Sequence, residues 1–137
     1  MASTGKLSTY YVNKLLDKAF GATDFTPPAT VYFALFTVVP TVGNTGGTEV
    51  STNNYSRASI ANNATTFPAA SAGAKATGVT VSFPSPSGSW GTILGIGIYD
   101  ASSGGNLLAV STLSAGVPVA SGDPVTVNSG DLSLSVS

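Results

Sequence analysis

The sequence predicts a mainly β protein: an antiparallel β-sandwich, jelly-roll or immunoglobulin-like, with one N-terminal α-helix. Two observations predict this fold. About seven or eight short segments of β-type sequence are separated by Gly-, Asn- and Asp-containing turns, and a single amphipathic helical pattern stands near the start. At 137 residues the chain is long enough for one domain, so we assign 1–137 to a single unit. Within it, we expect the helix over 7–21 and the sandwich over 29–137.

The helix prediction depends on a broad apolar arc. Lys, Asn and Asp residues fill the opposite side of the helical wheel. Ser8 is placed to cap the first turn, and Gly21 stands where a glycine commonly ends a helix. The arc spans nearly half the circumference, wider than one sheet needs, so part of it is predicted to contact either a partner or strands that wrap further around the helix. The residues of the arc are Leu7, Tyr11, Val12, Leu15, Leu16, Ala19 and Phe20.

The first strand after the helix is predicted over Thr30–Val39, TVYFALFTVV. Both of its faces are apolar, which is typical of a strand covered on both sides. We expect the N-terminal helix to cover the second face, which carries Tyr32, Ala34, Phe36 and Val38. Polar or small-residue sequence near 40–54 and 62–78 predicts long loops.

The strand predicted over Thr92–Asp100 has an alternating pattern. Leu94, Ile96 and Ile98 are expected on the core face. Gly95 and Gly97 share the other face, which predicts an aromatic ring or a crossing backbone packed flat against it.

The composition disfavours most catalytic and nucleic-acid-binding classes. The chain has no cysteine and no histidine, and only 8% of its residues are charged, with a net charge of −1. Thiolate chemistry, the usual general base and the commonest metal ligands are therefore missing. No basic field exists for nucleic acid, and no apolar run approaches the length of about 20 residues that spans a bilayer. We expect no catalytic site, no cofactor, no metal, and neither a nucleic-acid nor a membrane partner.

The acidic residues follow a pattern typical of turns. Asp100 opens DASSGGN, and both Asp123 and Asp131 sit in Gly-containing turns. Side chains of this type stabilise turns by bonding to nearby backbone N–H groups. A glycosidase needs two carboxylates held on either side of one sugar bond, and the sequence offers no such pair.

Two scarce residues have open interpretations. Trp90, flanked by glycine in GSWGTI, is either a core plug whose indole N–H bonds a backbone carbonyl, or an anchor at an interface or a sugar-stacking platform. Arg57, the only arginine, is either a solvated edge residue or a bidentate partner for a carboxylate on a neighbouring copy.

Several segments together carry a family resemblance. They are YYVNKLLDKAFGAT, TPPATVYFALFT, GGTEV with NYSRASI, SFPSPSGSWGTILGIGIYDASSGGNLLAVSTL and SGDPVTVNSGDLSLSV. From Leu7 onward the chain resembles a family of small tailed-bacteriophage virion proteins labelled tail fibre or capsid fibre protein. No catalytic residues belong to this pattern, so the resemblance implies a structural role.

Resemblance and composition together favour a virion structural protein. We expect a capsid decoration, cement or capsid-fibre protein that forms a homo-oligomer, with a trimer favoured, and binds the major capsid protein or a neighbouring virion protein at the capsid surface. The alternative is a tail fibre or tail-tip module that binds a host-surface glycan. The interface candidates are Tyr11, Leu15, Leu16, Phe20, Arg57 and Trp90.

Overall fold

The computed structural model describes residues 3–136, so the first two residues and Ser137 of the predicted unit lie outside it. Over this range the prediction of a mainly β chain with one helix is confirmed. The elements are β1 (Ser3–Leu7), α1 (Thr9–Ala19), β2 (Thr30–Val38), β3 (Thr48–Glu49), β4 (Ala58–Ala61), β5 (Ala74–Ala76), β6 (Val81–Ser82), β7 (Gly91–Tyr99), β8 (Leu107–Val119), β9 (Thr126–Val127) and β10 (Leu132–Ser135).

The strands form one large sheet and one small one. The large sheet has eight strands in the order β3-β2-β7-β8-β1-β10-β5, with β4 also paired to β2, and the small sheet pairs β6 with β9. Within residues 3–136, β1 and β10 form the one parallel pair, and the other ladders are antiparallel. The hairpin of β7 and β8 therefore lies at the centre of the large sheet.

The main core lies between the large sheet and the layer that contains the small one. From β2, Phe33 and Leu35 are fully buried in it, and from the small sheet Val81 and Val127 complete the same cluster. Residues from both sheets thus share one apolar core, as a sandwich requires.

The second face of β2 is covered differently from our expectation. Ala34 and Phe36 pack with Tyr99, and the segment that follows β2 closes this cluster through Val39 and Val42. The helix packs over the opposite face instead, where Tyr11 contacts the main core. The prediction that the helix covers the second face of β2 is therefore wrong, because the segment that follows β2 folds back and covers that face.

The predicted caps of the helix are present, but α1 spans Thr9–Ala19 rather than 7–21, because Leu7 belongs to strand β1 and the chain is already extended at Phe20. The Ser8 hydroxyl accepts a hydrogen bond from the Tyr11 N–H at 3.1 Å and donates to the Leu107 carbonyl. Gly21, at φ 109°, follows the C-cap Phe20. None of the helical residues Thr9–Ala19 is fully buried, so the helix lies on the surface of the sheet.

Strand β1 is an addition that the sequence pattern does not predict. Its residues STGKL include one large apolar side chain, yet the strand pairs with β8 on one edge and with β10 on the other. A Cβ at Gly5 would lie 2.5 Å from the Val110 carbonyl oxygen. The backbones of β1 and β8 therefore approach closely at a position that only glycine permits.

A β-bulge changes the face assignment in β7. The register against β8 shifts between Ile93 and Gly95, which turns Ile93 into the core and leaves Leu94 41% exposed. Ile96 and Ile98 are buried in the main core as expected, but the placement of Leu94 beside them is wrong. Between these two pairs β8 has four residues, 113–116, where β7 has only Leu94. Such a mismatch disrupts the ladder and the alternation of faces beside it.

The glycine face of β7 packs as predicted. A Cβ at Gly97 would lie 2.5 Å from the Phe36 ring, and one at Gly95 would meet the Ser111 backbone oxygen at 2.6 Å. The predicted ring is therefore present at Gly97. At Gly95 the Ser111 oxygen belongs to β8, the paired neighbour of β7, rather than to a crossing backbone, and the Val39 side chain lies 2.6 Å from the same Cβ position.

Short strands interrupt both predicted loops. β3 lies within 40–54 and pairs with β2, and β5 lies within 62–78 and pairs with β10. Strands of two and three residues leave too short a pattern for alternation to show in the sequence.

Candidate functional site

The apolar arc of α1 is divided between an inner and an outer face. Tyr11 and Leu15 are half-buried and face the sheet. Leu16 is 50% exposed and Phe20 is 80% exposed. The four helical candidates therefore form two pairs, and the pair on the outer face is open to solvent.

An apolar cavity of about 410 Å³ lies between the helix and the sheet. Tyr11 packs edge-on against Phe25, with ring centres 5.6 Å apart, and burial raises the pKa of its phenol. Residues from the helix and from β1, β2, β5, β7, β8 and β10 line the cavity. The lining includes Leu7, Tyr11, Leu15, Val31, Ile98 and Leu108.

Trp90 is a core residue. Only 4% of it is exposed, and its indole N–H donates to the Asn53 carbonyl oxygen at 2.9 Å. The Tyr55 ring packs edge-on against it, with centres 5.3 Å apart. The core interpretation is therefore the correct one for the described chain, and Trp90 has no surface to offer a partner or a sugar.

Arg57 is satisfied within its own chain. Its Nε donates to Glu49 Oε2 at 2.9 Å, and its Nη2 donates to Glu49 Oε1 at 2.8 Å. Its Nη1 donates to the carbonyl oxygens of Ala101 and Gly104, each at 2.9 Å. Its guanidinium carbon lies 3.8 Å from the centre of the Tyr99 ring. Neither interpretation of Arg57 is correct: the predicted bidentate geometry is present, but the carboxylate belongs to the same chain.

Tyr55 joins this ion pair to β2. Its hydroxyl donates to Glu49 Oε2 at 2.7 Å and accepts from the Leu35 N–H at 3.0 Å. Burial, assisted by the hydrogen bond to Glu49, raises the pKa of the Tyr55 phenol far above its usual value. Burial also raises the pKa of the Tyr99 phenol. We call Glu49, Tyr55, Arg57 and Tyr99 the Arg57 cluster.

The partners in this cluster were not predicted from the sequence. The signal was available, since Arg57 is the only arginine and Glu49 is the only glutamate in the chain. In a chain with so few charges, a buried arginine requires a carboxylate nearby. Glu49 and Arg57 come together because β2 pairs with both β3 and β4. This long-range pairing is not evident from the sequence.

The turn carboxylates bond to the backbone as predicted. Asp100 Oδ1 accepts from the Asn106 N–H at 2.8 Å. Asp123 Oδ2 accepts from the Ala120 N–H at 2.9 Å, and Asp131 Oδ2 accepts from the Asn128 N–H at 3.2 Å. All three stabilise the turns that contain them.

Over residues 3–136, no three His, Cys, Asp or Glu side chains are grouped so as to hold a metal ion. The one helix of that range is too short to cross a membrane.

Residues 6–135 match a protein family described as podophage GP4 fiber I protein gp80. The chain belongs to this family. The predicted resemblance to phage fibre proteins is thereby confirmed, and with it a structural fibre role in the virion. A search of the curated proteins gives no match.

Proposed function

We propose that this member of the podophage fiber I family is a component of the capsid surface that acts by self-association and by binding the shell. The observation that carries the proposal is the outer face of α1. Leu16 and Phe20 are open to solvent there, on a chain that has few charges. Contiguous apolar surface that stays exposed marks a partner surface, and we propose that Leu16 and Phe20 belong to such a surface.

Self-association is the simplest way to cover this face. In a cyclic homo-oligomer, one helix per subunit gathers near the axis or docks on the next subunit. We propose a trimer, in which each copy contributes Leu16 and Phe20 to the subunit contacts. The net charge of −1 keeps repulsion between copies low.

Low charge also supports a capsid position. A shell carries many copies of a decoration protein side by side, and a weakly charged surface tolerates this crowding. The competing function, a tail module that binds host glycan, had Trp90 as its sugar-stacking candidate, and that residue is buried. The proposed partner is therefore the major capsid protein or a neighbouring shell protein.

The proposal includes the absence of catalysis. Histidine and cysteine are missing from the sequence. Four of the six carboxylates, those of Glu49, Asp100, Asp123 and Asp131, are bonded within the Arg57 cluster or within turns. Purified protein incubated with host cell wall and polysaccharide is expected to release no reducing ends, and reproducible release would contradict this part of the proposal.

Binding to separated virion parts tests the position. Purified protein is expected to sediment with emptied heads that lack tails and not with host cells. Sedimentation with host cells alone would contradict the capsid proposal and favour a receptor-binding tail module.

A further inference from the structure

We infer that residues 3–25 form an exchangeable arm, whose strand β1 fills the gap between β8 and β10 of a neighbouring copy. The inference rests on the proposed self-association and deepens it by naming a second surface, besides the outer face of α1, that joins the copies. The partner is a second copy of this chain. We call the gap between β8 and β10 the β1 slot.

The β1 slot binds β1 mainly through backbone pairing on both of its edges. Ser3–Leu7 pair residue by residue with Leu113–Ala109 of β8, and Ser3–Lys6 pair with Leu132–Ser135 of β10. Among the side chains of β1, Leu7 is half-buried against the main core and the Ser3 hydroxyl lies 2.9 Å from that of Ser111, whereas Gly5, which has no side chain, makes the closest approach to β8. An extended peptide that completes a sheet in this way is bound by β-augmentation, and the same peptide from another copy fits equally well.

The two strands that form the β1 slot lie in the C-terminal part of the sequence, whereas β1 lies in the N-terminal part. The walls of the slot are β8 and β10, which begin more than 100 residues after β1, at Leu107 and Leu132. A chain must therefore close a very long loop to place its own arm there. Within an assembly, a neighbour's arm reaches the slot at a comparable effective concentration. Exchange then preserves every backbone pairing of β1 and changes only which copy of the chain supplies β1 to the slot.

The connection has a hinge at Thr26–Pro27. On its N-terminal side, the chain is tied to the arm: Thr23 N–H donates to the Asp17 carbonyl, and Phe25 packs on Tyr11. On its C-terminal side, Asn62 holds the carbonyls of Pro28 and Ala29, through its side chain and its backbone N–H respectively. The two sides are thus anchored to different bodies.

Short hinges between two anchored bodies favour exchange of the terminal body between copies. The contacts of the arm with the body are those of β1 and α1, and they are the same whether the body belongs to the same copy or to another. The helix adds no fully buried residue to them.

An engineered disulfide distinguishes the two connections. Thr4 and Thr112 are exposed Cα partners across β1 and β8, and the chain has no cysteine of its own. Paired strand residues have Cα separations within the range that a disulfide bridges. The Thr4→Cys/Thr112→Cys protein, assembled and then oxidised, is expected to run mostly as covalent multimers on a denaturing non-reducing gel.

The matched control is Thr92→Cys/Pro118→Cys, which joins exposed partners within the β7–β8 hairpin. This pair is expected to run as a monomer without free thiols. Thr4→Cys/Ser133→Cys repeats the test on the β10 side of the slot, in case the first variant fails to fold.

The outcomes separate exchange from self-association. Light scattering that gives an oligomer, with the Thr4 disulfide formed inside one chain, overturns the exchange and leaves the proposed self-association standing. A monomer by light scattering overturns both. Free thiols in both β1 pairs place the arm outside the slot and also overturn the exchange.

Discussion

Arg57 and Glu49 are the residues whose roles depend most on being paired. The Arg57 side chain is 6% exposed and that of Glu49 is 24% exposed, so water does little to solvate either charge if its partner is lost. The guanidinium also holds the carbonyls of the turn that connects β7 to β8. One side chain therefore joins β3, β4 and the central hairpin.

Replacing Arg57 with Ala is expected to lower the free energy of unfolding by about 3–5 kcal/mol, since it leaves a partly buried carboxylate without its partner. Urea denaturation measures this change. Lys18→Ala is the matched control, because it breaks the solvent-exposed pair with Asp24 and is expected to leave the midpoint unchanged. Equal midpoints for both variants and the parent protein would contradict the structural role of the Arg57 cluster.

The raised pKa of the Tyr55 phenol predicts that the protein loses stability at alkaline pH. Its phenol ionises near pH 10 in an unfolded chain, whereas burial and the hydrogen bond to Glu49 raise its pKa in the folded protein. Above about pH 10 the unfolded state therefore binds fewer protons than the folded state, so the free energy of unfolding decreases as pH rises. Below that pH the contribution of Tyr55 to the free energy of unfolding is fully present. Urea midpoints followed into this range are expected to fall less steeply in Tyr55→Phe. A parallel decline in both proteins would refute the assignment.

At the scale of elements, strand β7 shows what a pattern predicts and what it misses. Alternation placed Ile96 and Ile98 in the core correctly, because each lies on the regular side of the bulge. It failed at Leu94, since a bulge depends on pairing with β8 and leaves no mark in the period of β7 itself. Strand β1 was missed for a related reason: its place depends on pairing with two neighbouring backbones, and Leu7 is its one large apolar side chain.

The bulge gives a paired prediction within one strand. Ile96→Ala is expected to lower the free energy of unfolding by about 2–5 kcal/mol, because that side chain is buried in the main core. Leu94→Ala, two residues away and exposed, is expected to change it by less than about 0.5 kcal/mol. A larger loss for Leu94→Ala than for Ile96→Ala in urea denaturation would contradict this assignment of the two side chains.

The outer face of α1 gives a prediction about assembly. Leu16→Ser with Phe20→Ser is expected to reduce the mass of the oligomer in light scattering while the β signal in circular dichroism persists, because both side chains are exposed in the single chain. Lys14→Ser with Asp17→Ser alters exposed polar residues of the same helix and is expected to leave the mass unchanged. A folded Leu16/Phe20 variant of full mass would exclude this face as the subunit contact.

At the scale of the whole molecule, the sequence predicted the class of fold and the family better than the surfaces. Turn residues, β-branched strands and one capped helix are local signals, and they specified a mainly β chain with a helix at the correct place. Which surfaces stay open is decided by long-range pairing. That is why Arg57 and Trp90, chosen as interface candidates for their scarcity, lie inside the fold, and why Leu16 and Phe20 remain exposed.

The number of copies per virion tests the central claim most directly. A self-associating protein that decorates the shell at its symmetry positions is expected at on the order of hundreds of copies in each particle. Quantitative mass spectrometry of purified virions, referenced to the major capsid protein, measures this number. Hundreds of copies would agree with the capsid proposal, whereas on the order of tens or fewer, the number that a tail carries, would contradict it.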